Sequence, residues 1–418
     1  MKRCRKAALA LGAIALLAGC GAQPLGEDIP ERSFQFPVGL AVHPQGFALV
    51  VSSNFDLRYA GGSLRTIDLN RLAARLDAGA PAGESFSDLI DDNQAVGLPA
   101  FAGEIHISPD GTLATVTLRQ SNELALIDLR VMSAGGQASL ELSCWSGTRP
   151  AGKFPLCEGG RHLVPLSGID PFASMFLPPT AGFSYEVLVG FLRSGDLDRV
   201  QIPDRTQSQD PPRVAYSLST YARGVNAFAR SPVSGRAYLT DRYRGANANA
   251  IYFFDPAAGS NATVGVLNLF SLLMGSETRG ADFLADGTTL GVLVRNPNLI
   301  LFLDTRLDLD GNPANSYQGS EVLGHGPTRL RRNGDFLYVT ATEDDALYVV
   351  HAPSRRLYAV REDVCRGPFE VDFWNEAGRQ WALISCFEED VVAVVDADPA
   401  SPSFLETLAR VGQRRPEE

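Results

Sequence analysis

One phrase recurs along this chain: a glycine, an apolar strand, a turn that contains glycine, a second apolar strand, a polar gap, and a third strand that often ends near aspartate. Residues 107–129, ISPDGTLATVTLRQSNELALIDL, show it most clearly, with the turn at Pro109-Asp110-Gly111 and the third strand ending at Ile127-Asp128-Leu129. Seven segments fit the phrase, and their turn glycines are Gly46, Gly111, Gly182, Gly235, Gly287, Gly334 and Gly378. A repeat of this kind constrains the fold of the whole chain.

Each unit predicts a small meander, because strands rich in Val, Ile, Leu, Phe and Tyr alternate with Gly, Asn, Asp and Pro turns. A lone meander cannot bury both of its faces, whereas sheets stacked radially around an axis bury both and hide most strand edges. Only residues 69–76 and 267–274 have a briefly helical pattern, which excludes a helical solenoid. The sequence therefore predicts an all-β fold over residues 36–412, a single β-propeller of seven four-stranded antiparallel sheets.

The end of the chain leaves two ways to close such a ring. The segment PSFLETLARVG at residues 402–412 either supplies the outer strand of the last blade or joins the chain around Phe34 to Phe36. Residues 413–418 are predicted to form a C-terminal tail.

One unit carries a family resemblance. Residues 336–350, FLYVTATEDDALYVV, follow Asn333-Gly334 and resemble the YVTN repeat of seven-bladed β-propellers, which are relatives of the lactonase-like propellers. Ser108-Pro109-Asp110-Gly111 with Leu126-Ile127-Asp128 matches the same repeat, whereas Ala341 stands where that repeat prefers Asn. The resemblance covers residues 36–412 and implies the fold more than the function, because one fold carries many unrelated activities.

The N-terminus predicts export. Four basic residues precede the apolar stretch of residues 7–18, which is too short to span a bilayer and is typical of a signal peptide over residues 1–19. Leu17-Ala18-Gly19-Cys20 resembles the lipobox of bacterial lipoproteins, which implies cleavage before Cys20, a palmitate-type lipid on it, and a tether over residues 20–35. Gly21 favours the outer membrane of the bacterial cell envelope, at its periplasmic or surface face. An ordinary signal peptide with a chance cysteine, or an uncleaved anchor, is the alternative.

The remaining cysteines suit an exported chain. Without Cys4 and Cys20, four are left, and an even number predicts two disulfides. Cys365 and Cys386 lie about equally far from a turn near Asn375 and Glu376, so a hairpin would place them opposite each other. Cys144 and Cys157 enclose an insertion rich in Gly and Pro. No Cys-x-x-Cys occurs, which argues against a zinc ribbon or a thioredoxin-like redox site.

The charge argues against nucleic acid as a partner. Loss of the four leader cations from 37 Lys and Arg leaves 33 against 48 Asp and Glu, a formal charge of −15. Such an acidic chain lacks the electrostatic attraction on which binding to phosphate backbones depends.

Propeller loops at the mouth of the central channel are where function is expected. The positions just before four of the unit glycines hold Arg223, Arg279, His325 and Arg366, which we name the predicted collar. The planar guanidinium suits a carboxylate or phosphate, so the collar predicts an anionic ligand. Alternatively, these residues pair with carboxylates of the neighbouring polar gaps and tie the blades together.

Two functions follow. The first is a lipid-anchored, non-enzymatic module that binds an envelope protein or a small anionic ligand, with no catalytic residue, metal or cofactor. The alternative is a metal-dependent hydrolase or lyase of the lactonase-like kind, which needs Glu, Asn and Asp side chains converging from several blades. The gap carboxylates instead cluster in the sixth and seventh units, at residues 343–345 and 388–390.

Overall fold

The sheets of the computed structural model are seven antiparallel meanders, arranged around a common axis. The structure describes residues 26–134, 136–242, 250–269, 277–376 and 378–415. The predicted seven-bladed β-propeller is confirmed. The predicted signal peptide and Cys20 lie outside the described residues, as do residues 416–418 of the predicted tail.

Four consecutive blades have the simplest form, with four strands in chain order from the axis outwards. Blades 3 and 4 consist of β11 (Pro171–Leu177), β12 (Tyr185–Phe191), β13 (Asp196–Ile202), β14 (Arg213–Ser219), β15 (Val225–Arg230), β16 (Ala237–Asp241), β17 (Ala250–Phe254) and β18 (Gly265–Asn268). Blades 5 and 6 consist of β19 (Glu277–Phe283), β20 (Thr289–Arg295), β21 (Leu299–Asp304), β22 (Ser316–Val322), β23 (Pro327–Asn333), β24 (Phe336–Ala341), β25 (Ala346–His351) and β26 (Arg356–Arg361).

The other three blades carry the additions. Blades 1 and 2 consist of β1 (Pro37–His43), β2 (Phe47–Ser52), β3 (Gly62–Asp68), β5 (Ile90–Leu98), β6 (Ala102–Ile107), β7 (Leu113–Leu118), β8 (Glu123–Ala134), β9 (Gln137–Ser143) and β10 (Leu163–Pro165). Blade 7 consists of β27 (Pro368–Glu376), β28 (Arg379–Cys386), β29 (Val391–Asp396), β30 (Thr407–Gly412) and β4 (Glu84–Ser85).

Strand register defines the two faces of the ring. Pro37 pairs with Ser52, and Gly62 pairs with Leu98, so the start of each first strand lies at the same end as the loop between the second and third strands. We call this end the mouth face, and the end that holds the tight turns the turn face. All seven predicted turn glycines have a positive φ. Gly111 also lies against blade 1, where the His43 Nε2 atom is 2.9 Å from its carbonyl oxygen.

The third strand of blade 2 is longer than predicted. It does not end at residues 127–129 but continues as β8 to Ala134 and returns as β9, while β10 forms the other outer strand. The predicted Cys144–Cys157 disulfide is present and closes the loop that follows β9. That loop covers the outer edge of blade 1, because the Gly97 N–H donates to the carbonyl of Pro155 at 2.9 Å. An otherwise open strand edge is thereby paired.

The ring closes between blades 7 and 1. Of the two predicted routes, the structure has residues 407–412 as β30, the fourth strand of blade 7. The short strand β4, from the connection between the third and fourth strands of blade 1, then pairs in parallel with β30. Phe34 is buried with Trp374 and Trp381 in one cluster that spans both blades.

The second disulfide joins Cys365 to Cys386 as predicted, with 5.8 Å between the Cα atoms. Its hairpin differs from the expectation: Glu376 pairs with Arg379, so the turn comes after Glu376 and not at Asn375-Glu376. A register shift between Pro368 and Val371 compensates, because it places Pro368 opposite Cys386 and leaves Cys365 outside the strand.

The two helical predictions had different outcomes. The first is confirmed as helix α1 (Leu69–Asp77), whose N-terminus is capped by the Asp68 side chain accepting from the Arg71 N–H. The second is wrong over residues 267–268, which lie in β18, and residues 270–274 lie outside the described residues. Strand pairing with β17 overrides the local pattern there. In the described part of the chain no helix is long and apolar enough to cross a membrane.

Candidate functional site at the channel mouth

A cavity of about 140 Å³ lies at the mouth face, on the axis of the ring. All seven blades contribute to its lining. The lining includes four phenylalanines, Phe55, Phe172, Phe369 and Phe387, and four arginines, Arg119, Arg242, Arg279 and Arg329. None of the described residues that line it is a carboxylate. We call this space the mouth cavity.

The aromatic wall spans the seam between blades 7 and 1. The ring centroids of Phe55 and Phe387 are 5.6 Å apart, and those of Phe369 and Phe387 are 5.9 Å apart. Phe36 packs against Phe387 at 5.0 Å. These separations are typical of aromatic pairs that stabilise one another. The wall is therefore a fixed apolar surface that faces the arginines of the other blades.

Arg329 forms the floor of the mouth cavity. Its Nη2 atom is 2.6 Å from Glu104 Oε1 and its Nε atom is 3.2 Å from Glu370 Oε2, and each of the three side chains is at most 5% exposed. Its guanidinium carbon also lies 4.8 Å from the ring centroid of Phe172 and 5.5 Å from that of Phe369. One cation thereby connects first strands of blades 2, 3, 6 and 7 across the channel.

The carboxylates beneath this floor, Glu104 and Glu370, are paired with arginines. Burial alone would raise the pKa of Glu104, but Arg329, with His106, lowers it to about 2. Glu370 accepts from Arg331 Nε at 3.2 Å, and its charge raises the pKa of Arg331 above its usual value. Both carboxylates are thus engaged by arginines, as buried charges must be.

Arg279 has a different environment at a similar depth. It forms an ion pair with Glu277, whose Oε2 is 2.9 Å from the Arg279 Nε atom. Burial, and then the charges of Arg242 and Arg295, lower the pKa of Arg279 to about 10 in spite of that pair. A pKa lowered in this way means that the surroundings disfavour the cation. An anion bound in the mouth cavity would stabilise the Arg279 cation and raise its pKa again.

Only one member of the predicted collar lines the mouth cavity. Arg279 does so, whereas Arg223 and His325 are exposed and Arg366 is half-buried. The His325 Nδ1 atom lies 3.2 Å from Asp344 Oδ1, and Arg366 donates to the Arg415 carbonyl at 3.2 Å. The four residues are spread around the mouth face, so the structure does not gather them into one site.

Near the predicted collar, main-chain N–H groups form hydrogen bonds within and between blades. Asp241 Oδ2 accepts from the Arg223 N–H at 3.0 Å within blade 4. Asp345 and Asp390 do the same between blades, accepting from the N–H groups of Gly367 at 2.7 Å and Phe36 at 2.8 Å. Aspartates in the loops between second and third strands therefore fix the main chain where first strands begin.

Sequence reasoning missed the ion cluster of Arg329, Glu104 and Glu370. A signal was present, because polar residues alternate with apolar ones along the first strands AGEIHI, PTRLRRN and PFEVDF. The innermost strand is the one whose alternate side chains face the channel. A charge at every second position of that strand predicts a channel-lining network.

The described residues offer little to a metal ion. The group that could hold one consists of Cys365, Cys386 and Glu389, and the two sulfur atoms are bonded to each other. None of the described residues that line the mouth cavity is a carboxylate, and the carboxylates of Glu104, Glu370 and Glu277 are in ion pairs with its arginines. The arginines of the lining are the groups that can donate hydrogen bonds to an anion.

No family model and no curated protein matches this chain. Its structure is similar to hydrazine synthase of Kuenenia stuttgartiensis, with a TM-score of 0.58, 13% identity, and coverage of 90% of this chain and 98% of that one. It is also similar to Sqt1 of Saccharomyces cerevisiae, with a TM-score of 0.57, 10% identity, and coverage of 89% and 99%. At such identities the similarity shows the fold alone. The fold and site define a seven-bladed β-propeller with an arginine- and phenylalanine-lined channel mouth.

Proposed function

We propose that this protein is a lipid-anchored, non-enzymatic binding module of the bacterial cell envelope. Its mouth cavity binds a small ligand, or a side chain of an envelope protein, that carries an anionic group beside an apolar one. The observation that carries the proposal is the lining of the mouth cavity, with arginines, phenylalanines and no carboxylate among its described residues. We place the chain among the YVTN-type propellers on the repeat at residues 336–350.

The chemistry of the lining favours such a ligand. Arginine donates in a planar fork that matches carboxylate and phosphate oxygens. An anion near Arg279 would offset the charges of Arg242 and Arg295, which already lower the pKa of Arg279. The aromatic wall from Phe55 to Phe369 would bury the apolar part of the ligand.

The envelope location is supported by independent features. The lipobox at residues 17–20 implies the anchor, and Gly21 favours the outer membrane. Both disulfides suit an oxidising compartment, where such bonds persist.

The test uses the full-length protein purified in a mild detergent. Thermal unfolding is followed with a panel of carboxylates and phosphates that carry aliphatic or aromatic groups. A ligand that binds the folded state raises the unfolding midpoint, by an amount that grows with its concentration. Arg279→Gln should abolish the shift. The matched control is Arg306→Gln, because Arg306 is exposed and pairs with Asp304 on the turn face. An equal shift of the unfolding midpoint in both variants would show that the ligand does not bind in the mouth cavity.

A further inference from the structure

The chain enters the ring at the mouth face. The Glu27 N–H donates to the carbonyl of Arg58 at 2.9 Å, and the Ala60 N–H donates to the carbonyl of Glu27 at 2.9 Å. These contacts fix the N-terminal segment against the loop between β2 and β3 of blade 1. Gly26 is six residues after Cys20, and a chain of that length spans at most about 20 Å. A lipid on Cys20 would hold this part of the mouth face close to a bilayer.

Exposed apolar side chains occupy the same part of the mouth face. Phe55 and Leu57 lie in the loop of blade 1 that holds the N-terminal segment, and Ile169 and Tyr221 precede the first strands of blades 3 and 4. Each is more than half exposed, with Tyr221 at 80%. We call these four residues the apolar rim. Tyrosine and other apolar side chains in such a position are typical of a membrane interface.

Two residues of the apolar rim have an unfavourable backbone conformation. Leu57 has a φ of 59° and Tyr221 a φ of 62°, a conformation that favours glycine or asparagine. A large apolar side chain that is exposed to water gains no burial energy in return. Strained residues of this kind cluster at functional sites.

Charged side chains accompany the apolar rim. The exposed arginines Arg58, Arg193 and Arg223 lie beside it, and Arg58 is paired with Glu27. Guanidinium groups donate hydrogen bonds to phosphate oxygens. The surroundings of the apolar rim therefore offer donors to phospholipid head groups.

We propose that the apolar rim docks on the surface of a phospholipid bilayer, so that the mouth face of blades 1–4 lies against the membrane. This inference rests on the proposed lipid anchor at Cys20. The docked ring tilts, because the apolar rim lies on blades 1, 3 and 4 and the mouth-face loops of blades 6 and 7 are then raised from the bilayer. The mouth cavity then opens beside the membrane surface.

The experiment measures which face touches the bilayer. In the mature chain, which begins at Cys20, the other four cysteines form disulfides, so a maleimide lipid can be attached to Cys20 alone. The protein is bound to vesicles of brominated phosphatidylcholine, with or without phosphatidylglycerol, and tryptophan quenching by the bromine atoms is recorded. The native tryptophans are at most 6% exposed, so an introduced tryptophan reports the contact.

The probes are Leu57→Trp and Tyr221→Trp. The matched controls are Leu309→Trp, in an exposed loop of the turn face, and Tyr358→Trp, on the exposed outer strand of blade 6. We expect quenching at least threefold greater for the two rim probes than for either control, both with and without phosphatidylglycerol. Equal quenching at all four positions, or greater quenching at a control, overturns the docked orientation.

The anchor is tested separately. The intact mass of the protein purified from cells shows whether Cys20 carries a lipid. A protein without it would contradict the proposed function, whereas the orientation measured with the maleimide lipid does not depend on cellular lipidation. The two failures are therefore distinguishable.

Discussion

Arg329 and Arg279 are both arginines of first strands that line the mouth cavity, Arg329 buried and Arg279 half-buried, and their surroundings differ. Arg329 contacts two buried carboxylates from other blades, Glu104 and Glu370. Arg279 is paired with Glu277 of its own strand, and the charges of Arg242 and Arg295 act against it. The cation at the floor of the mouth cavity thus lies between two carboxylates of other blades, whereas the cation of Arg279 also lies near two other cations.

The difference teaches how one residue type serves two purposes in one channel. A buried arginine with two carboxylates holds strands of several blades together, and its loss leaves charges without a partner. A buried arginine among other arginines disfavours its own charge, which is a property of sites that await an anion. Substitutions at the two positions should therefore separate stability from binding.

Replacing Arg329 should have the largest effect. Arg329→Met leaves Glu104 and Glu370 buried without their main cation, and we expect a loss of about 3–5 kcal/mol in the free energy of unfolding. Urea unfolding followed by tryptophan fluorescence measures it. Arg306→Gln, which removes an exposed ion pair, is the control and should cost at most about 1 kcal/mol. A loss of similar size in both variants would contradict the assigned role of the floor.

The second-largest effect is expected in the pH dependence of the free energy of unfolding. The folded pKa of Glu104 is about 2, below its ordinary value of 4.5, so the unfolded chain binds more protons between these pH values. Its contribution, on the order of 3 kcal/mol, is fully present above pH 4.5 and is lost as the pH falls towards 2. Urea midpoints at pH 6, 4.5 and 3 should therefore fall more steeply for the wild type than for Glu104→Gln. If the urea midpoints of the wild type and of Glu104→Gln fell equally with pH, Arg329 would not be lowering the pKa of Glu104.

Arg119 tests a mouth arginine that has a partner. It donates from Nε to Asp170 Oδ1 at 2.5 Å and thereby joins blades 2 and 3, with both side chains about a fifth exposed. Arg119→Gln should reduce the free energy of unfolding by about 1–2 kcal/mol, because a partly buried charged hydrogen bond is lost. Denaturant unfolding at neutral pH provides the measurement. An unchanged free energy of unfolding would show that Arg119, like Arg279 and unlike Arg329, contributes little to stability.

The smallest effect on stability is expected for Arg279→Gln. The substitution removes a cation that its surroundings disfavour, so the free energy of unfolding should change by less than about 1 kcal/mol in either direction. Binding of the anionic ligand should nevertheless be lost, as measured by the thermal shift assay. A loss of stability as large as that of Arg329→Met would mean that both arginines are structural.

The fold could be predicted because its determinants are local. A turn glycine such as Gly111 needs a positive φ, and apolar strands flank it in every unit, so the sequence signal is complete within about 25 residues. The later end of β8 and the turn after Glu376 escaped prediction for a physical reason. Both depend on strand pairing with β9 and on a register shift at Pro368, which are set by packing and not by local pattern.

The mouth cavity could be predicted only in part. Arg279 follows from its place before a unit glycine, but Arg242 and Arg295, whose charges lower its pKa, lie at the ends of β16 and β20. Arg329 and Glu104 are 225 positions apart, and only the closure of the ring brings them to 2.6 Å. A site assembled from seven blades has no contiguous motif, which is why spacing alone suggested four collar residues and the geometry brings only one of them to the mouth cavity.

The strand β4 has a consequence for the order in which the molecule is completed during synthesis. Every blade is built mainly from consecutive strands, so each can pair as it emerges, without waiting for a distant segment. β4 differs, because it lies in a connection of the first blade to be made and pairs with β30, near the end of the chain. It stays without that partner until the last blade has been synthesised. The end of synthesis is therefore the event that completes the ring, and a chain cut short before residue 407 would be left with an open seam that proteases can reach.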